Sequence, residues 1–255
     1  MKLMRPNGNL SRTREVLDLM DVYDLDCLFV HVPKADNHYL PFGDFFNITY
    51  MPMGVPALSN LLTRHGYTSQ IMHLGVEWLN NADFNLIDAL DGQKIRAIGL
   101  PLYWHYQSYD VIEVAKALKA AHPESFIYLG GITAGYFAEE IARNYECIDG
   151  IIKGHAEGGC LALMECLQED GDLGTVPNLV FKDNSGKVRV NHRLQAHLKT
   201  PVPDINSLIY SDLSTMHHPE VYVSSFGFPL AYGREYSRIE NQNMLSMGRA
   251  FFPLF

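Results

Sequence analysis

The sequence is poor in cysteine, with four among 255 residues, at Cys27, Cys147, Cys160 and Cys166, and none of these form a Cys-x-x-Cys pair. With no paired-cysteine motif and no secretory leader, the chain reads as cytoplasmic, with reduced and buried thiols. Long apolar runs are missing too. None approaches the ~20 residues that a membrane span requires, so a soluble protein is expected. Basic clusters are also absent, and the formal charge is −9. Nucleic acid is excluded as a partner, because neutralising phosphates takes clustered cations. What the sequence does have is apolar material: 47% of residues are hydrophobic and 19% charged. That suffices for one substantial domain and a smaller appendage.

The first 22 residues are polar and read as an arm with a short helix around Arg12 to Met20. From residue 23 to about 170, apolar runs alternate with helical patterns. Leu25–Val32, Thr68–Leu74, Arg96–Leu102, Ser125–Leu129 and Cys147–Lys153 are short apolar runs of strand type. Between them, Val55 to Leu62, Phe84 to Leu90, Ser108 to Leu118, Phe137 to Asn144 and Glu157 to Leu167 carry helical spacing. Gly66 is placed to end the first helix, and Ser108 to cap the one it opens. Nearly continuous apolar strands alternating with helices predict a parallel sheet covered on both faces. The expectation is a flavodoxin-like (Rossmann-like), doubly wound, five-stranded α/β domain. From 171 to 255 the pattern changes to a hairpin around Asp183–Gly186 and then a linker-like stretch rich in Ser, Tyr, His and Gly.

In such a sheet, ligands bind beyond the carboxyl ends of the strands, where strand order reverses. The loops at that rim have unusual compositions. Tyr103-Trp104-His105-Tyr106 follows the third strand; these rings either close the top of the core or form a wall against a large flat ligand. After the fourth strand, Gly130-Gly131-Ile132-Thr133 lets the backbone approach a ligand, or simply makes a tight turn. After the fifth, Gly154 to Gly158 opens a helix with Glu157 in its first turn, where a carboxylate suits the helix dipole whether or not it binds anything. A flavin-phosphate loop does not follow the first strand, carboxylates do not end the first and third strands as in a phospho-receiver, and Gly-x-Gly-x-x-Gly is absent.

Several segments appear in an ordered set. They are a strand ending at Pro33, Tyr39 to Gly43, Met53 to Leu58 leading to Arg64–Tyr67, and His122-Pro123 ahead of Leu129–Ala134. Ile148 to Gly158, the Asn178 to Val190 hairpin and Pro201 to Asp204 complete it. This set resembles the N-terminal cobalamin-binding domain of cobalamin-dependent radical SAM enzymes. The resemblance implies a corrin ring across the carboxyl rim and a nucleotide tail inserted between the strands. It assigns Gly130 and Gly131 to passage of the tail, and Tyr103, Trp104 and His105, flanked by Leu102, to the surface beneath the corrin. Thr133 and Glu157, with Ile132 and Gly154 beside them, are assigned to hydrogen bonding and contact with the cofactor's polar groups.

Methionine synthase-like modules carry Asp-x-His-x-x-Gly and supply a lower cobalt ligand from its His. Here Asp36-Asn37-His38 comes close, but the glycine arrives late, at Gly43. His38 is therefore a candidate metal ligand, oriented by Asp36. The radical SAM relatives commonly use no protein ligand, and Trp104 is the candidate to block the lower face. The Cys-x-x-x-Cys-x-x-Cys motif that holds a [4Fe–4S] cluster and S-adenosylmethionine is not found, so neither is expected to bind within this chain. Ser246 to Arg249 looks like the approach to such a motif, after which the chain runs into the apolar Ala250 to Phe255. The favoured reading is a cobalamin-binding module whose methyl transfer or radical chemistry needs a radical SAM domain or partner. Alternatives are a stand-alone corrinoid methyl carrier using His38 with a methyltransferase partner, or a cofactor-free, partner-binding remnant.

Overall fold

A computed structural model describes residues 23–33, 51–81, 83–191 and 204–225. The arm, His38 with its Asp36 neighbour, and the segments from Phe226 and Phe251 onward lie outside these residues.

The apolar runs become strands β1 Leu25–His31, β2 Ser69–His73, β3 Ile95–Pro101, β4 Phe126–Gly130 and β5 Gly150–Ile152. All pair in parallel, in the order β2-β1-β3-β4-β5. Alternate residues of each strand face opposite ways. Leu28, Val30, Ile98, Leu100, Ile127 and Leu129 point into one core layer. Cys27, Phe29, Ile71, Ala97 and Tyr128 point into the other. Burial on both faces is why β1, β3, β4 and β5 read as largely apolar runs.

The first layer is covered by α3 Leu86–Ala89, α4 Ser108–Ala121 and α6 Ala138–Asn144, through Ile87, Val111, Ala115, Leu118 and Ile141. The second is covered by α1 Gly54–Arg64, α2 Leu74–Asn80 and α7 Glu157–Gln168, through Leu61, Leu62, Val76, Leu163 and Met164. The remaining α-helices among the described residues are α5 Ile132–Tyr136 and α8 Pro219–Ser225. Among the described residues no helix is long and apolar enough to cross a membrane.

Among the described residues the sheet has seven strands rather than five. The hairpin of β6 Leu179–Lys182 and β7 Val188–Val190 continues it, with β6 antiparallel to β5. The cause lies in β6 itself: Leu179, Val180 and Phe181 are all buried, which a two-stranded hairpin alone cannot achieve. At the opposite edge, residues 204–225 also join the domain. Ile71 N–H donates to Thr215 O at 2.9 Å, and His217 N–H donates to Ile71 O at 2.8 Å. Leu208, Met216 and Tyr222 enter the second core layer.

Two local expectations change. Ser108 begins α4 but does not cap it; a 3-10 turn, His105–Gln107, leads in, and the Ser108 hydroxyl donates to His105 O instead. The helix near Phe84 is a single turn, Leu86–Ala89, capped by Asn85. Gly66 does sit just beyond α1 with φ +88°, the conformation that favours glycine there.

Candidate functional site

The carboxyl ends of β1, β3, β4 and β5 open onto a cavity of about 210 Å³ between the sheet and helices α1 and α7. Its floor is Phe29, Gly99 and Tyr128 from the strands; Val55 and Leu58 of α1 close one side, and Ala156 and Glu157 the other. Tyr103, Gly130, Gly131, Gly154 and His155 form the mouth. Pockets that enclose a whole drug-sized ligand run to ~300–1,000 Å³. This cavity is therefore too small for a whole ligand of that kind and has room for one inserted part of a larger molecule.

Glycines create the space. A Cβ on Gly99 would stand 2.8 Å from Cζ and Oη of Tyr128, so its absence lets that ring cross the cavity floor. At Gly130 a Cβ would meet no atom within 4 Å, so this glycine borders open space. Gly131 differs: φ is +102° and ψ 172°, and a Cβ would lie 2.7 Å from the Leu102 carbonyl oxygen. The neighbouring glycines thus have separate roles, one facing the cavity and the other admitting the β3 exit loop.

That loop is fastened from three directions. Leu102 N–H donates to Gly130 O at 2.8 Å, and Ala134 N–H donates to Leu102 O at 3.2 Å. Thr133 Oγ1 donates to Tyr103 O at 2.8 Å. The buried Gln107 side chain donates to Val32 O at 2.9 Å, tying the loop to the exit of β1. Held this way, the rings form a partly exposed platform: Trp104 meets Tyr103 edge-on, with centroids 5.0 Å apart, and stacks on Tyr106 at 6.0 Å.

The residues expected at the site divide accordingly. Tyr103, Gly130, Gly131, Gly154 and Glu157 converge on the cavity. Leu102 and Thr133 border a separate, open groove between α4 and α6. Trp104, His105 and Ile132 line neither; Ile132 is 65% exposed. Sequence reasoning missed Gly99, Tyr128, Val55 and Leu58, which read as ordinary strand and helix positions. It also missed His31 and His73, buried at the ends of β1 and β2 with ring centroids 4.5 Å apart.

Below the cavity floor, the Tyr128 hydroxyl lies 3.4 Å from Cys27 Sγ and 3.5 Å from Cys160 Sγ. Burial pushes the Cys160 thiol up to about 12 and raises Cys27 and Tyr128 well above their usual ranges. Burial also raises Cys166 and the part-buried Cys147. Since the thiolate is the reactive form, Cys27 and Cys160 are inert in the folded protein. Iodoacetamide at pH 8 followed by mass spectrometry should label Cys147 first and leave Cys27 and Cys160 unmodified until the protein unfolds. Early labelling of Cys160 would contradict this packing.

These features define an α/β domain with a cleft at the carboxyl rim of its sheet. No family model matches the chain. Over 136 residues it is 29% identical to the hopanoid C-3 methylase of Methylococcus capsulatus, which covers 53% of this chain and 26% of that protein. Over 81 residues it is 32% identical to an uncharacterized methyltransferase of Pyrococcus horikoshii, covering 32% of this chain and 17% of that one. The chain thus spans about a quarter or less of the curated relatives it matches.

Among solved structures, the fold is similar to that of TsrM from Kitasatospora setae, a radical S-adenosylmethionine methyltransferase with cobalamin and a [4Fe–4S] cluster bound. The TM-score is 0.51 at 14% identity, over 65% of this chain and 30% of that one. It is also similar to the cobalamin-dependent S-adenosylmethionine radical enzyme OxsB with aqua-cobalamin bound, with a TM-score of 0.50 at 18% identity, over 71% and 24% of the two chains.

Proposed function

We propose that the chain is the cobalamin-binding module of a radical SAM-type, methyltransferase-like system. The observation that carries this reading is the narrow cavity beside Gly130, open at the rim and floored by Gly99 and Tyr128. Its size and apolar walls suit the benzimidazole end of a nucleotide tail. The methylase likeness and the folds of the two cobalamin-bound enzymes support the same assignment, and the parallel order β2-β1-β3-β4-β5 supports a flavodoxin-like core extended by a hairpin.

In this proposal Gly130 faces the tail, and Tyr103, Trp104 and His105 lie beneath the corrin. Glu157 and Gly154 border the mouth. Thr133, whose hydroxyl holds the Tyr103 carbonyl, acts as a positioning residue. Residues 23–170 hold the cofactor, the hairpin and residues 204–225 complete the same sheet and core, and the chemistry falls to a radical SAM domain or partner. Bound cobalamin would supply a cobalt centre able to carry a methyl group. The protein's share is to orient it and to keep water from its buried end.

The direct test is to mix the purified chain with hydroxocobalamin, remove free cofactor by gel filtration and record the spectrum of the protein peak. A retained base-off spectrum, unchanged in His38→Ala, is the expected result. A nitrogen-ligated spectrum lost in His38→Ala would instead indicate a corrinoid carrier with a protein ligand. Folded protein emerging without cobalamin would refute the assignment.

A further inference from the structure

Far along the chain from the rim loops, a second group of side chains converges. Glu77 lies on α2 with its side chain only 1% exposed, and it faces two consecutive imidazoles, from His217 and His218. His217 Nδ1 lies 2.9 Å from Glu77 Oε1, and His218 Nε2 lies 3.7 Å from Glu77 Oε2. One ligand atom from each of the three residues falls within 4.8 Å of the others. We propose that Glu77, His217 and His218 bind a single divalent transition-metal ion of the zinc class, clasping residues 213–225 to α2.

The chemistry of the donors favours that class. Two imidazole nitrogens and one carboxylate oxygen form a borderline-soft set that suits Zn²⁺ and does not suit Mg²⁺ or Ca²⁺, which prefer all-oxygen shells. An outer partner is present as well. The other ring nitrogen of His218, Nδ1, lies 3.4 Å from Glu220 Oε1, the carboxylate–imidazole arrangement that orients a metal-binding histidine.

The backbone presents the rings from fixed points. Ile71 and the 215–217 segment exchange hydrogen bonds, which sets His217 against the edge of the sheet. His218 has φ +51°, uncommon for a residue with a side chain, and its carbonyl accepts from Val221 and Tyr222 as α8 begins. Asn80 Nδ2 also lies 3.3 Å from His218 Nε2, a contact the ion would displace. Because His217 is half exposed, the fourth position of a tetrahedral ion opens toward solvent.

The test uses the whole chain without cobalamin, so its outcome is independent of the cofactor assignment. Protein stripped with a chelator is titrated with Zn²⁺ against a chromogenic competitor, and bound metal is counted by elemental analysis. One equivalent should be retained, with a rise in the unfolding midpoint that grows with free Zn²⁺. His217→Ala and His218→Ala should abolish retention, and Glu220→Gln should weaken it by about 10- to 100-fold. Glu77→Gln disturbs a buried position, so the exposed His217 ring provides the decisive variant. No retention by the unaltered chain, or equal retention by both histidine variants, would overturn the site. Unchanged affinity in Glu220→Gln would remove the orienting role given to that carboxylate.

Discussion

Gly131→Ala is expected to destabilise the domain by about 3 kcal/mol, although it adds a single methyl group. Two effects combine. A backbone at φ +102° and ψ 172° lies in a region populated almost solely by glycine, and placing a side chain there costs on the order of 1–3 kcal/mol. The new Cβ would also stand 2.7 Å from Leu102 O. That oxygen cannot easily retreat, because Leu102 N–H is bonded to Gly130 O and Leu102 O accepts from Ala134 N–H. Overpacking of this kind typically adds about 1–3 kcal/mol. For a domain of this size, about 3 kcal/mol corresponds to a midpoint roughly 6–12 °C lower. Urea unfolding of the variant checks it; a loss below about 1 kcal/mol would show that the β3 exit loop is far less constrained than its hydrogen bonds imply.

Gly130→Phe should do the opposite, leaving the fold nearly intact and removing the ligand. No atom lies within 4 Å of the position a Cβ would take there, and the adjoining space is the rim cavity. A phenyl ring in a cavity of about 210 Å³ would fill the room proposed above for the nucleotide tail. Cobalamin affinity should fall by at least about 100-fold, equivalent to roughly 2.8 kcal/mol. Unfolding in urea should shift by less than about 1 kcal/mol, as for a substitution that neither empties nor overfills the core. Equal binding by variant and parent would place the cofactor elsewhere. Loss of both binding and folding would show that the two adjacent glycines share a structural role.

Much of this architecture was legible in the sequence, for a physical reason. Strands covered on both faces are apolar at most positions, so β4 and, apart from the half-buried Asp26 and Arg96, β1 and β3 stand out as apolar runs. The hairpin was equally visible, through Asp183-Asn184-Ser185-Gly186. Its attachment to β5 was not, because turn chemistry reports only the local pairing of β6 with β7. The buried trio Leu179, Val180 and Phe181 was the available clue. Helix α2 follows β2 without a turn residue between them, and His73 serves both as the last residue of the strand and as the cap of the helix.

The site was legible only at its mouth. Glycines and aromatic rings in sequence announce the loops after β3 and β4, but composition cannot separate the role of Gly130 from that of Gly131. Only φ and the position of Leu102 O do so. Gly99 and Tyr128 look like routine strand residues until β3 and β4 are paired, at which point they become direct neighbours. Glu77 and His217 are 140 residues apart, beyond the reach of any local pattern.

The parallel bridge between Ile71 and Met216 also bears on the outer edge of the sheet. Among the described residues, strand β2 is the last at its side of the sheet, and an uncovered outer strand offers free amides and carbonyls to any passing extended chain. Residues 215–217 occupy the Ile71 amide and carbonyl, in the middle of a five-residue strand. They thereby take the central amide and carbonyl of β2 away from any other extended chain.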